Sequence, residues 1–359
     1  MSKRVTMQDI ADQLNISKNS VSQALAGKPG VSEGTRMSVR RVARDLGYHN
    51  PKSSKHTYKE PLKGKIALIA SEFAFSLKNF FGAICLSIER EISLRGMTLQ
   101  IQSIDHEKKE NLYLPDFVQN KTVDGIIILS HISTKYIQKV LACGIPTVLV
   151  DQHHPNIEAD AILTNNRFGA YIAVQHLINL GHTHIAFVGD VGLSPSYQER
   201  MEGYLLALRD YDIDPKRQYI FNHTAETVEM IKETVKNAQH LDSIPTAWFC
   251  VNDGLGFLVL TCLQQQGIDV PDQASVCSYD NGQLSQISSP KITTMDVDLD
   301  LFGRKAVEQL CWRMENQEAA FQEILLPSKL IVRESTATAM GTMDKSNREG
   351  QESDKSDTS

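Results

Sequence analysis

From Lys65 onward, short apolar-rich stretches alternate with stretches whose apolar positions recur every three or four residues. The former fall at Ile66–Ser71, Met97–Ile101, Asp124–Leu129, Pro146–Val150, Ala161–Thr164, His184–Val188, Tyr219–Asn222, Ala247–Val251 and Ser275–Ser278. These stretches predict strands. Helical spacing occupies the intervals near 80–95, 133–143, 166–180, 196–211, 225–240, 253–266 and 299–315. Such alternation means parallel sheets with helices on both faces, and about 270 residues suit two sheets with a cleft between them.

The first fifty residues follow a different pattern. Thr6 with Asp9 three residues on makes a capping box, so a helix runs over about Met7–Leu14 with Ile10, Ala11 and Leu14 on one face. Asn15, which tolerates the left-handed conformation, supplies the stop. Ser17 caps a second helix, Lys18–Ala26, with Val21 and Leu25 inward; Gly27-Lys28-Pro29-Gly30 breaks it. Ser32 caps a third, running to Leu46 with Val39, Val42, Ala43 and Leu46 inward and Gly47 beyond. Two short helices across a tight turn, floored by a third, form a helix-turn-helix. Helix 2 then exposes Lys18, Asn19, Ser22 and Gln23. Asn and Gln can pair with adenine, Lys with guanine and Ser with phosphate. Taken alone, that face suits solvent as well as a major groove.

Charge sharpens the contrast. The formal charge of −6 divides into +6 for residues 1–60, with 11 Lys and Arg against 5 acids, and −12 for the remainder. A basic end on an acidic body fits contact with a polyanion at one end only. The six cysteines stand singly without CxxC spacing, which predicts reduced core residues. No apolar run approaches the ~20 residues that cross a bilayer, and the basic start has no apolar stretch behind it, so the expected location is the cytoplasm. Residues 335–359 are rich in Ser, Thr, Asp, Glu, Lys and Gly and are expected to be disordered.

Val5-Thr-Met-Gln-Asp-Ile-Ala, Ile16-Ser-Lys-Asn-Ser-Val-Ser-Gln-Ala-Leu-Ala-Gly-Lys-Pro-Gly-Val-Ser32 and Leu46-Gly-Tyr48 resemble the headpiece of the lactose/galactose repressor (LacI/GalR) family of bacterial transcription regulators. The resemblance implies that Lys18, Asn19 and Gln23 read bases, while Thr6, Ser17, Ser22, Ser32 and Thr35 hold phosphates. Gln23 stands where the family usually has Arg, which shifts the expected preference toward adenine. Residues 49–63 then form the hinge. Ser54 replaces the usual Ala there, and Thr57 replaces the Leu wedge that meets the unstacking cost of a kink. Weak kinking is expected, with Lys52 and Lys55 as phosphate contacts.

Ligands of open α/β sheets sit at the carboxyl ends of strands. No glycine-rich nucleotide loop follows Ile66–Ser71; four Phe lie in 73–81 instead, able to stack on a ligand or fill the core. Asp151, Asn252-Asp253 and Tyr279-Asp280-Asn281 follow other strands, and Arg200 lies near a helix start. Converging, these groups suit a polyhydroxylated ligand; singly, Asn252 and Asp253 are well placed as helix caps. The segments Asn165–Gly189, Glu199–Gly203, Val251–Asp253, Ser278–Asn281 and Pro290–Thr294 are similar to the family's core in order. They imply a periplasmic-binding-protein type I domain with effector contacts at Asp151, Arg200, Asn252 and Asp280 and with Phe80 and Phe81 at the cleft mouth.

The expected architecture is an all-α helix-turn-helix headpiece (1–48), a hinge (49–63) and a two-lobed α/β effector domain with parallel sheets (64–334). Its lobe crossovers are expected near 163, 292 and 326, and the tail spans 335–359. Metal and nucleophile signatures are weak: His153-His154 and His182-Thr-His184 lack ligand-spaced Cys or Glu, and no Gly-x-Ser-x-Gly elbow occurs. Structural roles are expected for these histidines, with no cofactor and no catalysis. The function expected is a sequence-specific regulator, in the repressor mould. It would bind a near-palindromic double-stranded operator as a homodimer and respond to a small sugar-like effector. A transport receptor of the same cleft fold would need an export signal and no headpiece; a dehydrogenase would need the glycine loop.

Overall fold

The computed structural model describes residues 6–25, 30–32, 35, 38, 39, 42, 64–72, 74, 80–105, 107, 111–130 and 132–339. The chain divides into two units, Met1–Leu62 and Lys63–Ser359.

In the first unit, α1 (Met7–Leu14) opens on the capping box: Asp9 N donates to Thr6 Oγ1, and Thr6 N donates to Asp9 Oδ2 at 2.6 Å. Asn15 closes it at φ +49°. Ser17 Oγ accepts from Ser20 N at 3.0 Å to start α2 (Lys18–Leu25). Ser32 Oγ accepts from Thr35 N at 3.2 Å, and Thr35, Ser38, Val39 and Val42 are helical. Ile10, Ala11, Val21, Ala24, Val39 and Val42 meet in one core. The fully buried partner of Val21 is Ala24, with Leu25 half-buried. Ala43 and Leu46, and the hinge with Lys52, Ser54, Lys55 and Thr57, lie outside the described residues.

The second unit holds two six-stranded sheets. In the first the order is β11 (Glu323–Leu326), β5 (Asp160–Thr164), β4 (Thr147–Val150), β3 (Gly125–Leu129), β1 (Lys65–Ser71), β2 (Thr98–Ile104), all parallel. In the second it is β12 (Ser328–Ile331), β10 (Thr293–Val297), β9 (Ser275–Asp280), β8 (Ala247–Cys250), β6 (Ile185–Val188), β7 (Ile220–Phe221), parallel except that β12 runs against β10. Both interiors are apolar: Ile66, Leu68, Ile126 and Ile128 are buried in lobe 1, and Val188, Phe249, Val276 and Met295 in lobe 2.

The helices are α3 (Phe81–Leu94), α4 (Asp116–Gln119), α5 (Thr134–Leu141), α6 (Asn166–Asn179), α7 (Pro195–Asp210), α8 (Val228–Ala238), α9 (Asp253–Gln265), α10 (Gln283–Ile287) and α11 (Leu299–Glu315). Between β5 and α6 the chain passes from lobe 1 to lobe 2, and between β11 and β12 it passes again. The middle crossover lies at Asp298, between β10 and α11. It was expected near 292, but Thr293–Val297 is a lobe 2 strand, paired with β9 from Thr293↔Cys277 onward. Asp298 caps α11, accepting from Leu301 N at 2.8 Å. A buried ion pair ties the return: Arg313 Nε donates to Asp160 Oδ2 at 2.6 Å and Nη2 to Oδ1 at 2.9 Å.

The expected disordered tail also needs correction at its start. Ser335 is buried, accepting from Thr293 N at 2.8 Å, and Ala337 N donates to Ser275 Oγ at 3.0 Å. Ala339 N reaches the Leu180 carbonyl at 2.8 Å. Residues 335–339 therefore strap lobe 2; residues 340–359 lie outside the described set.

Candidate functional site

On α2, Lys18, Asn19 and Ser22 are exposed and Gln23 is half-buried, opposite the Val21 and Ala24 face. The Gln23 side chain leans on Gly30, at φ +106°, where a Cβ would come within 3.5 Å of Oε1. Thr6, Ser17 and Ser32 are exposed at the starts of three helices, and each hydroxyl also caps its helix. Thr35 is half-buried, its hydroxyl 2.8 Å from Ser32 Oγ. A helix start concentrates unpaired N–H groups, so these positions suit phosphate.

In the second unit the sequence-predicted polar residues sit at carboxyl ends of strands or starts of helices facing the space between the lobes. Asp151 follows β4 at φ +55°. Asp280 ends β9 at φ +105°. Arg200 lies in α7, which follows β6, and its backbone is held close to α6: a Cβ at Gly203 would lie 2.1 Å from the Arg167 carbonyl oxygen. Asn252 caps α9, accepting from Leu255 N at 2.8 Å.

Arg200 is the hub. It is 2% exposed, donates to Asn166 Oδ1 at 2.9 Å and to the Val251 carbonyl, and lies 3.1 Å from Asp280 Oδ1. The last contact is charge pairing without hydrogen-bond alignment, since Asp280 Oδ1 has no bonded donor. The guanidinium stacks on Tyr279 at 3.7 Å. Burial raises Asp280 above the usual carboxylate range, and Arg200 opposes that rise. Asp151 belongs to lobe 1, yet its Oδ1 accepts from Ser196 Oγ of lobe 2 at 2.9 Å. Burial pushes Asp151 up to about 7 against the pull of Arg200. The structure thus brings Asp151, Arg200 and Asp280 into one electrostatic group. Asn252 joins it through Tyr197, whose hydroxyl accepts from Asn252 Nδ2 at 2.7 Å and whose ring lies 5.8 Å from the Arg200 guanidinium carbon.

Phe80 and Phe81 begin α3 with rings edge-on at 5.0 Å. Phe81 is buried, so of this pair only Phe80 keeps exposed surface.

Glu226 was not among the expected site residues, and Asp253 and His153 have partners that were not expected. Glu226 accepts from Asn252 Nδ2 at 2.7 Å, and its carboxylate lies over Gly254, where a Cβ would come within 1.7 Å of it. Desolvation raises Glu226, and Asp280 adds to the rise. Asp253 turns into lobe 2 rather than capping. His153, expected to be merely structural, joins the lobes: Nε2 lies 2.9 Å from Glu199 of α7, and Nδ1 lies 3.1 Å from Glu323 of β11. The hydrogen bond to Glu199 is the main reason His153 rises to about 9. None of these contacts had a local signal, since each depends on partners far along the chain. His182 is a buried lobe 2 strut, 3.0 Å from Thr246 Oγ1 and from Ser275 Oγ. Among the described residues no group of His, Cys, Asp and Glu has the arrangement to hold a metal ion, and no helix is long and apolar enough to cross a membrane.

A helix-turn-helix unit carried with a two-lobed α/β receptor defines a DNA-binding transcriptional regulator. Residues 6–50 match the family described as bacterial regulatory proteins, lacI family, and residues 174–336 match the periplasmic binding protein-like domain. The HTH-type transcriptional regulator DegA of Bacillus subtilis is 28% identical over 343 residues, 93% of this chain and 98% of that relative. The HTH-type transcriptional repressor PurR of Actinobacillus pleuropneumoniae is 27% identical over 92% of this chain and 98% of its own. A LacI family regulator from Enterococcus faecium, solved with bound ribose, is 27% identical with a TM-score of 0.64, covering 76% of this chain and 99% of that one. Residues 6–50 thus carry a DNA-binding domain of the lacI family, and the relatives matched along most of the chain are transcription regulators rather than enzymes.

Proposed function

We propose that the protein is a homodimeric, cytoplasmic repressor whose grip on a near-palindromic operator is set by a small polyhydroxylated effector, most simply a sugar, bound between the lobes. Lys18, Asn19 and Gln23 read bases in the major groove. Thr6, Ser17, Ser22, Ser32 and Thr35, with Lys52 and Lys55 of the 49–63 hinge, hold phosphates. A two-fold pair of headpieces calls for two half-sites. Asp151, Arg200, Asn252 and Asp280 hold effector hydroxyls, with Phe80 at the mouth. The observation that carries the effector reading is the meeting of Asp151 from one lobe with Arg200 and Asp280 from the other at strand carboxyl ends. The relative solved with ribose supports the sugar class.

The test is a gel shift on genomic fragments, titrated with salt and then with D-ribose, D-glucose and cellobiose. Binding falls steeply between about 50 and 200 mM salt if phosphate contacts dominate. Asp280→Ala abolishes the sugar response and leaves operator affinity intact. A normal response in that variant refutes the cleft assignment.

A further inference from the structure

We infer that Asp253 is a positioning residue: its carboxylate holds the strained turn at Asp280–Gly282 so that Asp280 stays against Arg200 on the lobe 2 side of the effector cleft. The inference rests on the role proposed above for Asp280, and it goes beyond it, because Asp253 itself acts from behind the turn.

Two successive residues without glycine's freedom, Asp280 at φ +105° and Asn281 at φ +52°, form this turn. Such a conformation persists only where surrounding bonds over-determine it. Asp253 provides three of them from the first residue of α9. Its Oδ2 accepts from Gly282 N at 2.5 Å, directly after the strained pair. Its Oδ1 accepts from Ser278 Oγ on β9 and from Thr294 Oγ1 on β10, the latter at 2.7 Å. Thr294 Oγ1 in turn accepts from Asn281 N at 3.3 Å. Asn281 is gripped from the other side, donating Nδ2 to Asp296 at 2.7 Å and accepting from Arg333. Asp253 is therefore the point at which the start of α9, the two strands and the turn are joined. Its neighbour Asn252 performs the ordinary capping of α9, so Asp253 is not needed for that.

An ionised carboxylate is the group this place requires. Three donors converge on its two oxygens, and both oxygens accept. An amide offers one acceptor oxygen to the same donors and turns an N–H₂ toward them. Losing a bond between a buried charged acceptor and its donor corresponds to about a tenfold to hundredfold change in the equilibrium it supports.

Three variants of the full chain test the inference: Asp253→Asn, Thr294→Val, which keeps the shape but removes the hydroxyl, and Thr294→Ser, which keeps the hydroxyl. Amide exchange at 280–282 is read by mass spectrometry. Operator affinity and the affinity for whichever of D-ribose, D-glucose or cellobiose shifts the wild type are read by gel shift. Exchange at 280–282 rises about tenfold to a hundredfold in Asp253→Asn and in Thr294→Val, while β6 and β8 stay protected and Thr294→Ser stays near wild type. Sugar affinity falls by a similar factor with operator affinity unchanged. Unchanged exchange at 280–282, or raised exchange with full sugar affinity, overturns the inference. If none of these sugars shifts the wild type, the sugar reading fails, and the exchange pattern alone decides whether Asp253 positions the turn. Should Asp253→Asn fail to fold, the Thr294 pair carries the same comparison.

Discussion

Replacing His153 with Gln removes one positive charge from the contact between the lobes while keeping hydrogen-bonding capacity. His153 lies between Glu199, 2.9 Å away on α7, and Glu323, 3.1 Å away at the start of β11. Those carboxylates hold the imidazole up to about 9 from an ordinary 6.5, although burial alone would lower it. At about 1.4 kcal/mol per pH unit the gap corresponds to about 3 kcal/mol. The side chain is 29% exposed, so solvent screening reduces this to about 1–2 kcal/mol. A folded value above the unfolded one means that the stabilisation is fully present below pH 6.5 and is lost as pH rises through about 9. Glu199 acts at the other end of the scale. Burial opposes its ionisation, but hydrogen bonds from His153 and Asn166 hold it below the usual range, so its share is lost only in acid.

Urea unfolding of wild type and His153→Gln, at pH 7 and again at pH 10, separates this contribution from every other titration, since all other groups are common to both proteins. Tryptophan fluorescence follows both lobes, because Trp248 lies in β8 and Trp312 in α11. The variant is about 1–2 kcal/mol less stable at pH 7 and nearly equal to wild type at pH 10. A difference that is absent at pH 7, or equally large at both values, refutes the assignment of a charged His153 between the two carboxylates.

Gln23→Ala relaxes base preference at one position in each operator half by about 1–3 kcal/mol and leaves the salt dependence of binding unchanged; gel shifts on operators varied one base pair at a time measure both. Asp151→Asn stabilises the protein at pH 8 by about 2–4 kcal/mol, because the folded carboxyl titrates near 7 rather than 3.8 and its ionised form is disfavoured by burial. That gain shrinks to under about 1 kcal/mol by pH 4, because the folded carboxyl is then protonated and the unfolded one is close to its own midpoint. Thermal unfolding at the two pH values checks it.

Local chemistry was legible in the sequence wherever one short segment carried the whole signal. Thr6 and Asp9 are three residues apart, and the capping box follows from that spacing; Asn15 takes the left-handed stop because few other residues can. The long helices were legible by period. β10, β11 and β12 were not, since Thr-Thr-Met-Asp-Val, Glu-Ile-Leu-Leu and Ser-Lys-Leu-Ile are short and mixed in polarity, and only neighbouring strands make them strands. The middle crossover, expected near 292 from the family resemblance, falls instead at Asp298, after β10. Asp151, Arg200, Asn252 and Asp280 stood out as polar residues at strand or helix ends, whereas Glu226 and the Glu199–His153 pair depend on which loops the fold brings together. Phe81 shows the limit of composition: an aromatic residue near a cleft serves the core as readily as a ligand, and its burial decides.

The bonds among the cleft residues also limit how an effector can act. Arg200 is already engaged by Asn166, the Val251 carbonyl and Asp280, and Asn252 by Tyr197 and Glu226. A ligand that offers one hydroxyl for each bond it displaces gains little from those exchanges alone. Asp151 is different, because the donor it holds, Ser196, belongs to the opposite lobe. Under the proposed reading, a ligand hydroxyl that takes this carboxylate oxygen releases a tie between the lobes, so ligand affinity and lobe arrangement are coupled through one atom. The His153–Glu199 contact opposes that release from a neighbouring position and sets part of its cost. Only this difference between lobe arrangements, and not the total strength of binding, can be passed on to the operator.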